Sequence, residues 1–333
     1  MKSILLSDRA DMLESVYTEK IISILADDAG LDRKLYNSQD IRNNINDFAD
    51  TEYIFSTWGI PVFTEEEIKQ CFPKLRAVFY AAGSVQHFAR PFLNSGVKVF
   101  SAWAANAVPV AEYTVAQIIL ANKGFFKVSS ISNREDYAEM AKEFKSYIGN
   151  YDSKIGIIGA GMIGKLVIKM LKSYNLDILV FDPFLSEDDA DKLGVKKTSL
   201  ENLFKECNVV SNHLANNEQT KGMLNGELFS KLPMYSTFLN TGRGAQIVEN
   251  DLIQVLKSRK DIVAVLDVTD PEPPVDNSEI YSLDNCILTP HIAGSAGNEV
   301  HRMAEYMLNE YELIKDEKKC NYEVTVEMLK TMA

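Results

Sequence analysis

The sequence predicts an α/β protein of two domains, each built on a parallel sheet that helices cover. The length of 333 residues, of which 46% are apolar, suits two domains of ordinary size with sizeable cores. Short apolar runs alternate with helix-periodic segments, and this alternation favours parallel sheets. Midway along the chain a glycine-rich turn follows one of the apolar runs, which is typical of an α/β unit whose ligand binds beyond the strand ends.

The first hundred residues form one α/β unit by this pattern. Strands are predicted at 3–6, 53–56, 75–80 and 97–100, and helices at 12–25 and 64–71. Thr64 and Glu67 form a capping box that begins the second of these helices. A long helix over 108–125 should lead into a second unit. The charged helical tail over 298–319 should pack back onto the first unit, which makes that domain discontinuous.

Three glycines, Gly159, Gly161 and Gly164, follow a short apolar run and precede a predicted helix. This order of strand, tight turn and helix is the dinucleotide fingerprint. The first glycine permits the turn, the second lets the backbone approach a pyrophosphate, and the third lets the helix pack on the strand. Met162 and Ile163 begin the helix, where free N–H groups and the positive end of the dipole face the phosphates. A purely structural turn is the alternative.

The next apolar run ends in Asp182, which lies 18 residues beyond Gly164. A carboxylate at this distance can accept both ribose hydroxyls of a dinucleotide. It also repels a 2′-phosphate, so the sequence favours NAD over NADP. Because Pro183 follows, a plain turn opener is the alternative interpretation of Asp182.

Composition argues against several classes of partner. The formal net charge is −12, whereas nucleic acids and anionic membranes attract basic surfaces. No uninterrupted apolar stretch has the length of a membrane span, and acids and arginine come too early in the chain for a secretory signal. The cysteines share no metal-ligand spacing, so we expect no metal site, no disulfide framework and a reducing cytoplasm. The cysteines are Cys71, Cys207, Cys286 and Cys320.

Polar residues follow four successive predicted strands of the second unit, at 208–212, 236–240, 262–266 and 286–288. The carboxyl ends of parallel strands share one edge with the glycine turn, so we expect these residues to gather there. They are His213, Thr241, Arg243, Asp267 and His291.

Three residues suit hydride chemistry. His291 can donate or accept a proton near neutral pH, and Arg243 offers a planar fork for a carboxylate. Glu272, in a proline-rich loop, could hold the histidine tautomer and favour its charged form. Each also has a simpler interpretation: a surface histidine, a solvated turn and an exposed glutamate.

The motifs together resemble the D-2-hydroxyacid dehydrogenase family. They are the glycine turn, LNTGRGAQIVENDLI (239–253), VLDVTDPEPP (265–274) and LTPHIAGS (288–295). The resemblance implies that Arg243 grips the substrate carboxylate and polarises the carbonyl. It implies that His291 is the general acid in reduction and that Glu272 raises its proton affinity. It also implies that Thr241 is a cofactor-binding residue, that His213 lines the cofactor face, and that Asp267 lies near the nicotinamide amide.

The same resemblance implies the domain roles. Residues 105–295 would be a Rossmann NAD-binding domain. Residues 1–104 and 296–333 would form a flavodoxin-like, discontinuous substrate-binding domain. The family is typically homodimeric, so we expect a homodimer.

The first domain departs from the family pattern. The family loop Gly-x-Gly-x-Asp gives backbone N–H groups to the substrate carboxylate, and here the stretch from 81 to 87 reads AAGSVQH. The backbone of Ala82, Gly83 and Ser84 could still do this. Gln86 and His87 replace the acidic signature, so the substrate stays open. Trp103 is a candidate wall of an apolar substrate pocket, and simple interdomain packing explains it equally well.

The leading hypothesis is an NAD-dependent enzyme that interconverts a small 2-keto acid and a 2-hydroxy acid, of the D isomer by the family likeness. The alternative is an NADH-sensing binding protein on the same fold that acts through protein partners. A screen of 2-keto acids that follows NADH consumption separates the two.

Overall fold

The computed structural model describes residues 3–330. The chain divides into two compact units. The first contains the residues up to Asn106 and those from Ser295 onward, and the second is Ala107–Gly294. The strands are β1 (Ser3–Leu6), β2 (Leu31–Tyr36), β3 (Tyr53–Ser56), β4 (Ala77–Tyr80), β5 (Lys98–Ser101), β6 (Tyr151–Ile158), β7 (Asn175–Phe181), β8 (Lys196–Lys197), β9 (Val209–Asn212), β10 (Thr237–Asn240), β11 (Val263–Leu266), β12 (Cys286–Leu288) and β13 (Glu323–Val324).

The α-helices cover these sheets. They are α1 (Ala10–Val16), α2 (Glu19–Ala29), α3 (Ser38–Asn43), α4 (Glu65–Cys71), α5 (Ala89–Asn94), α6 (Trp103–Asn122), α7 (Phe125–Val128), α8 (Arg134–Glu143), α9 (Met162–Leu171), α10 (Glu187–Leu193), α11 (Leu200–Glu206), α12 (Gly226–Phe229), α13 (Glu249–Ser258) and α14 (His301–Lys315). Short 3₁₀ turns lie at Ile45–Phe48, Phe144–Ser146, Gly244–Gln246, Glu279–Ser282, Gly297–Val300 and Met328–Lys330.

The sheet of the first unit has the strand order β13-β5-β4-β3-β1-β2. Its strands are parallel except for β13, a short antiparallel strand at the edge beside β5. Helix α14 buries Met303, Met307 and Tyr311 in the core of this unit, as expected of a tail that packs back onto it. A parallel sheet with one antiparallel edge strand is common in this fold class.

The sheet of the second unit is parallel throughout, with the order β12-β11-β10-β9-β6-β7-β8. Separate apolar clusters lie on its two faces. One includes Val115 and Ile157, and the other includes Phe204 and Phe238. The predicted fold class, two parallel sheets covered by helices, is confirmed.

In the first unit one local prediction is wrong and one strand was not predicted. The helix expected over 12–25 is broken at Tyr17, and α2 begins anew because the Thr18 side chain accepts a hydrogen bond from Ile21 N. The hydroxyl of Tyr17 donates to Ser56 O (3.2 Å), which draws this residue out of the helical path. Strand β2 was not predicted, because its charged middle residues hide the alternation.

Helix α6 begins at Trp103, earlier than the predicted residue 108. It has 20 residues, and a stretch of 18 within it has a mean hydropathy of 1.2, so by length and composition alone it could cross a membrane. The expectation concerned uninterrupted apolar stretches, and α6 is interrupted by Asn106, Glu112 and Gln117. Half of the apolar window is buried within the protein, and core helices of soluble proteins pass the same test.

Candidate active site

The glycine turn has the geometry that its fingerprint requires. Gly159 has a φ of +92°, and a Cβ atom on it would lie 2.8 Å from His213 O. A Cβ atom on Gly164 would lie 2.0 Å from Gly159 O, so only glycine lets α9 approach β6 here. Around Gly161 no heavy atom lies within 4 Å of that position. The open backbone at Gly161 therefore fits the approach of a pyrophosphate, and α9 follows immediately with Met162 and Ile163 in its first turn.

Asp182 lies directly after β7 with its carboxylate against the glycine turn. Its Oδ2 accepts a hydrogen bond from Ala160 N (2.7 Å), and its Oδ1 accepts one from Phe184 N (2.7 Å). The second bond is the turn-opening contact of the alternative interpretation. The first bond places a negative charge beside the glycine turn, where a dinucleotide would bind. Asp182 can therefore open the turn and also bind a ribose.

His213 and Thr241 lie on the other side of the glycine turn. The imidazole is 8% exposed, with Nε2 at 2.9 Å from Ser211 Oγ and Nδ1 at 3.5 Å from Thr241 Oγ1. Burial lowers the pKa of His213 from 6.5 to about 3, so this ring is neutral at physiological pH. A neutral ring here can hydrogen bond without adding a charge to the site.

Buried amide side chains hold the backbone around Arg243. Gln246 Oε1 accepts a hydrogen bond from Arg243 N (3.2 Å), and Asn240 Nδ2 donates to Arg243 O (3.1 Å). Asn212 Nδ2 donates to both of these side chains, at 2.6 Å and 2.9 Å. Sequence reasoning missed this trio. The polar residues that end the buried strands β9 and β10 were the available signal.

The Arg243 guanidinium is poorly supplied with acceptors. Within residues 3–330 its side chain donates one hydrogen bond, from Nη1 to Gly242 O (2.8 Å). Burial lowers the pKa of Arg243, and the nearby Glu272 carboxylate opposes this by favouring the charged form. A partly buried cation with unused N–H donors is suited to a carboxylate ligand.

The structure brings Glu272 and His291 together. Glu272 Oε1 lies 2.7 Å from His291 Nδ1, and both side chains are about half exposed, at 44% and 47%. The Arg243 loop packs against the segment that leads to Glu272, since a Cβ atom on Gly244 would lie 1.9 Å from the carbonyl carbon of Thr269. The three predicted catalytic residues thus stand on loops of one unit, two of them in direct contact.

His291 has a φ of +55°, which is unusual for a residue other than glycine. Its N–H donates to Asp267 O and Thr289 O, both at 3.0 Å. The Asp267 carboxylate accepts hydrogen bonds from Thr289 Oγ1 (2.6 Å), Ile292 N (2.8 Å) and Ala293 N (2.9 Å). Asp267 therefore holds the loop of His291 in this strained form. Its predicted place near the nicotinamide amide stays a prediction.

The predicted substrate loop of the first unit is partly available for binding. The N–H of Ala82 already donates to Tyr80 O (2.8 Å), and its predicted contact with substrate stays a prediction. The N–H groups of Gly83 and Ser84 donate no backbone hydrogen bond within residues 3–330. The amide of Asn106, which the sequence analysis did not select, lies beside them, with Nδ2 at 3.8 Å from the Cβ position of Gly83.

Other candidates in this unit have structural contacts. The Trp103 ring packs edge-on against Tyr322, with the centroids 5.5 Å apart, so it contacts its own unit. Gln86 Nε2 donates to Leu329 O (2.7 Å), and burial lowers the pKa of His87. Within residues 3–330, no group of three or more histidine, cysteine, aspartate or glutamate side chains could hold a metal ion.

Comparison with known proteins identifies the family. Residues 115–293 match the family model described as "D-isomer specific 2-hydroxyacid dehydrogenase, NAD binding domain". This match covers more than half of the chain, which therefore belongs to that family. The predicted family is confirmed, and NAD is confirmed as the cofactor class.

Two curated relatives and one solved structure illustrate the similarity. The chain is 32% identical to Bacillus subtilis YoaD over 211 residues, covering 60% of this chain and 58% of that protein. It is 31% identical to a hydroxypyruvate reductase of Thermotoga maritima over 210 residues, covering 62% and 67%. The match thus spans less than two thirds of YoaD. The D-mandelate dehydrogenase of Rhodotorula graminis shares the fold, with a TM-score of 0.80 at 18% identity over 97% of both chains.

Proposed function

We propose that the protein reduces a small 2-keto acid to the D-2-hydroxy acid with NADH, and catalyses the reverse oxidation. The observation that carries this proposal is the His291–Glu272 pair on the same unit as Arg243, which is partly buried and has unused N–H donors. The family match and the names of relatives, which include hydroxypyruvate and glyoxylate reductases, support the class of reaction. The NADH-sensing alternative has no comparable support.

Each catalytic role follows from the contacts. Glu272 uses His291 Nδ1, so Nε2 is the nitrogen left to give a proton to the carbonyl oxygen in reduction and to accept it in oxidation. Arg243 would bind the substrate carboxylate and polarise the carbonyl through its unused donors. Bound NADH supplies the hydride. Asp182 and the N-terminus of α9 would hold its ribose and phosphates.

A substrate screen with one matched pair of variants tests the proposal. The purified chain should consume NADH with at least one of pyruvate, glyoxylate, hydroxypyruvate, or a branched or aromatic 2-keto acid. His291→Ala should cut turnover by about a hundred-fold or more while NADH still binds. His301→Ala, on α14, is the control and should keep full turnover. Normal turnover in His291→Ala would remove the assigned acid, and silence with every keto acid despite tight NADH binding would remove the enzyme.

We further propose a cytoplasmic homodimer. Exposed apolar side chains from the end of α6 to the first residue of β6 would suit contact with a second copy, and they include Phe125, Tyr137, Ile148 and Tyr151. The four free cysteines fit a reducing compartment.

A further inference from the structure

The backbone of the 82–84 loop is oriented by one buried hydroxyl. Ser101 Oγ lies 2.9 Å from Ala82 O and 2.7 Å from Gly83 O, and its single hydrogen is shared between these two carbonyls. Ala82 O also accepts a hydrogen bond from Ala102 N (3.0 Å), but Ser101 is the donor that reaches Gly83 O. Ser101 is completely buried at the end of β5, so water does not compete for these acceptors.

Peptide planarity carries this effect to the N–H groups. In a trans peptide the C=O of one residue and the N–H of the next point in opposite directions. The peptide bonds after Ala82 and Gly83 are trans. Because Ser101 draws both carbonyls inward, the N–H groups of Gly83 and Ser84 turn outward together. Two successive free N–H groups on one side of a loop form an anion-binding concavity.

Ser101 is itself firmly held. Its backbone N–H donates to Tyr322 O (3.2 Å) on the C-terminal segment that adds β13 to the sheet. The fully buried carboxylate of Glu310 accepts hydrogen bonds from Asn321 N (3.0 Å) and Tyr322 N (3.2 Å). The buried Glu310 carboxylate therefore holds this segment in place, and the segment in turn holds the backbone of Ser101.

We propose that Ser101 is a positioning residue for substrate. Its hydroxyl aims the Gly83 and Ser84 N–H groups so that they bind the carboxylate of a 2-keto acid. The inference rests on the proposed function for the identity of that anion, but the orientation of the two peptides is independent of it. Ser101 does not touch substrate. It acts only through the two carbonyls that it bonds.

Ser101→Ala should raise KM for the 2-keto acid by about tenfold, because Gly83 O loses its donor and the following peptide turns freely. A carboxylate contact made equally in ground and transition states changes KM rather than kcat, so kcat should stay within about twofold. The dissociation constant of NADH should not change. Ser101→Thr keeps the hydroxyl and should restore KM. An unchanged KM in Ser101→Ala would overturn the proposal.

Ser3→Ala is the matched control. Ser3 is also fully buried, on β1 of the same sheet, and its hydroxyl donates to Ala29 O (2.8 Å). Ser3→Ala removes a similar buried hydrogen bond at a distance from the 82–84 loop. The variant should therefore be less stable but have an unchanged KM. If KM rose by the same amount in Ser3→Ala, the effect of Ser101→Ala would be explained by a general loss of stability and not by a positioning role. If Ser101→Ala does not fold, Ser101→Cys carries the test, since a thiol fills the space but donates weakly.

A binding measurement separates this inference from the proposed activity. Oxamate, a 2-keto acid analogue, should shift the NMR signals of the Gly83 and Ser84 amides in the wild-type chain and much less in Ser101→Ala. That result supports the positioning role even if no keto acid is turned over. Equal shifts in both proteins, or shifts at neither amide in the wild type, refute it.

Discussion

The neutral, buried imidazole of His213 makes the stability of the protein depend on pH in a way that one substitution can remove. Its pKa lies at about 3 in the folded chain, below the ordinary value of 6.5, because burial penalises the charged form. The unfolded chain therefore binds this proton at a higher pH than the folded chain does. The contribution to stability is complete above pH 6.5 and is lost as the pH falls towards 3.

The size of the effect follows from proton linkage. Between pH 7 and pH 5 the unfolded chain protonates His213 almost fully while the folded chain does not, and the difference amounts to about 2 kcal/mol of unfolding free energy. His213→Gln removes this titration but leaves the other three histidines in place. The difference between the two proteins therefore isolates His213, although each protein alone has several titrating groups.

Urea unfolding of wild type and His213→Gln at pH 7, 6 and 5 measures the prediction. Between pH 7 and pH 5 the unfolding free energy of the wild type should fall by about 2 kcal/mol more than that of the variant. This holds whatever the difference in stability between the two proteins at pH 7. Parallel losses would show that His213 titrates normally in the folded chain. In that case the imidazole would be open to solvent or paired with an acid, and its assignment as a neutral group against the glycine turn would fail.

Two further substitutions test the cofactor site and the contact between the catalytic loops. Gly244→Ala should lower kcat/KM by about a hundred-fold, because its Cβ atom would lie 1.9 Å from the backbone of Thr269 and push apart the loops of Arg243 and Glu272. A folded variant with full activity would show that this contact is dispensable. Asp182→Ala should weaken NADH binding and reduce the preference for NADH over NADPH. Fluorescence titration with both cofactors measures the two dissociation constants. An unchanged preference would show that another group distinguishes the two.

Local patterns predicted those parts of the fold that local physics decides. The capping box of α4 forms as expected, with Thr64 accepting from Glu67 N and Glu67 accepting from Thr64 N. The turn from β6 to α9 was also predictable, because each glycine there is required by its own backbone conformation or by the close approach of residues a few positions away. Such features involve residues a few positions apart, and one stretch of sequence contains all the information that they need.

The supports of the candidate site were not predictable in this way. Gln246 and Asn212 are 34 positions apart, and the bond between their side chains exists only because β9 and β10 pair in one register. The break at Tyr17 likewise depends on Ser56, 39 positions away. A polar residue at the end of an apolar run indicates that something is bonded there. It does not indicate which backbone atom is the partner.

These supports share one physical logic. Burying an amide, a hydroxyl or a carboxylate costs free energy unless it is fully hydrogen bonded, and an apolar side chain would usually fill the same space at lower cost. Gln246 bonds the backbone of Arg243, Asp267 bonds the loop of His291, and Ser101 bonds the loop of Gly83. In each case the buried group acts on the backbone of a residue proposed to meet substrate. The buried polar groups are therefore best explained by the orientation that they impose, because stability alone would not require them.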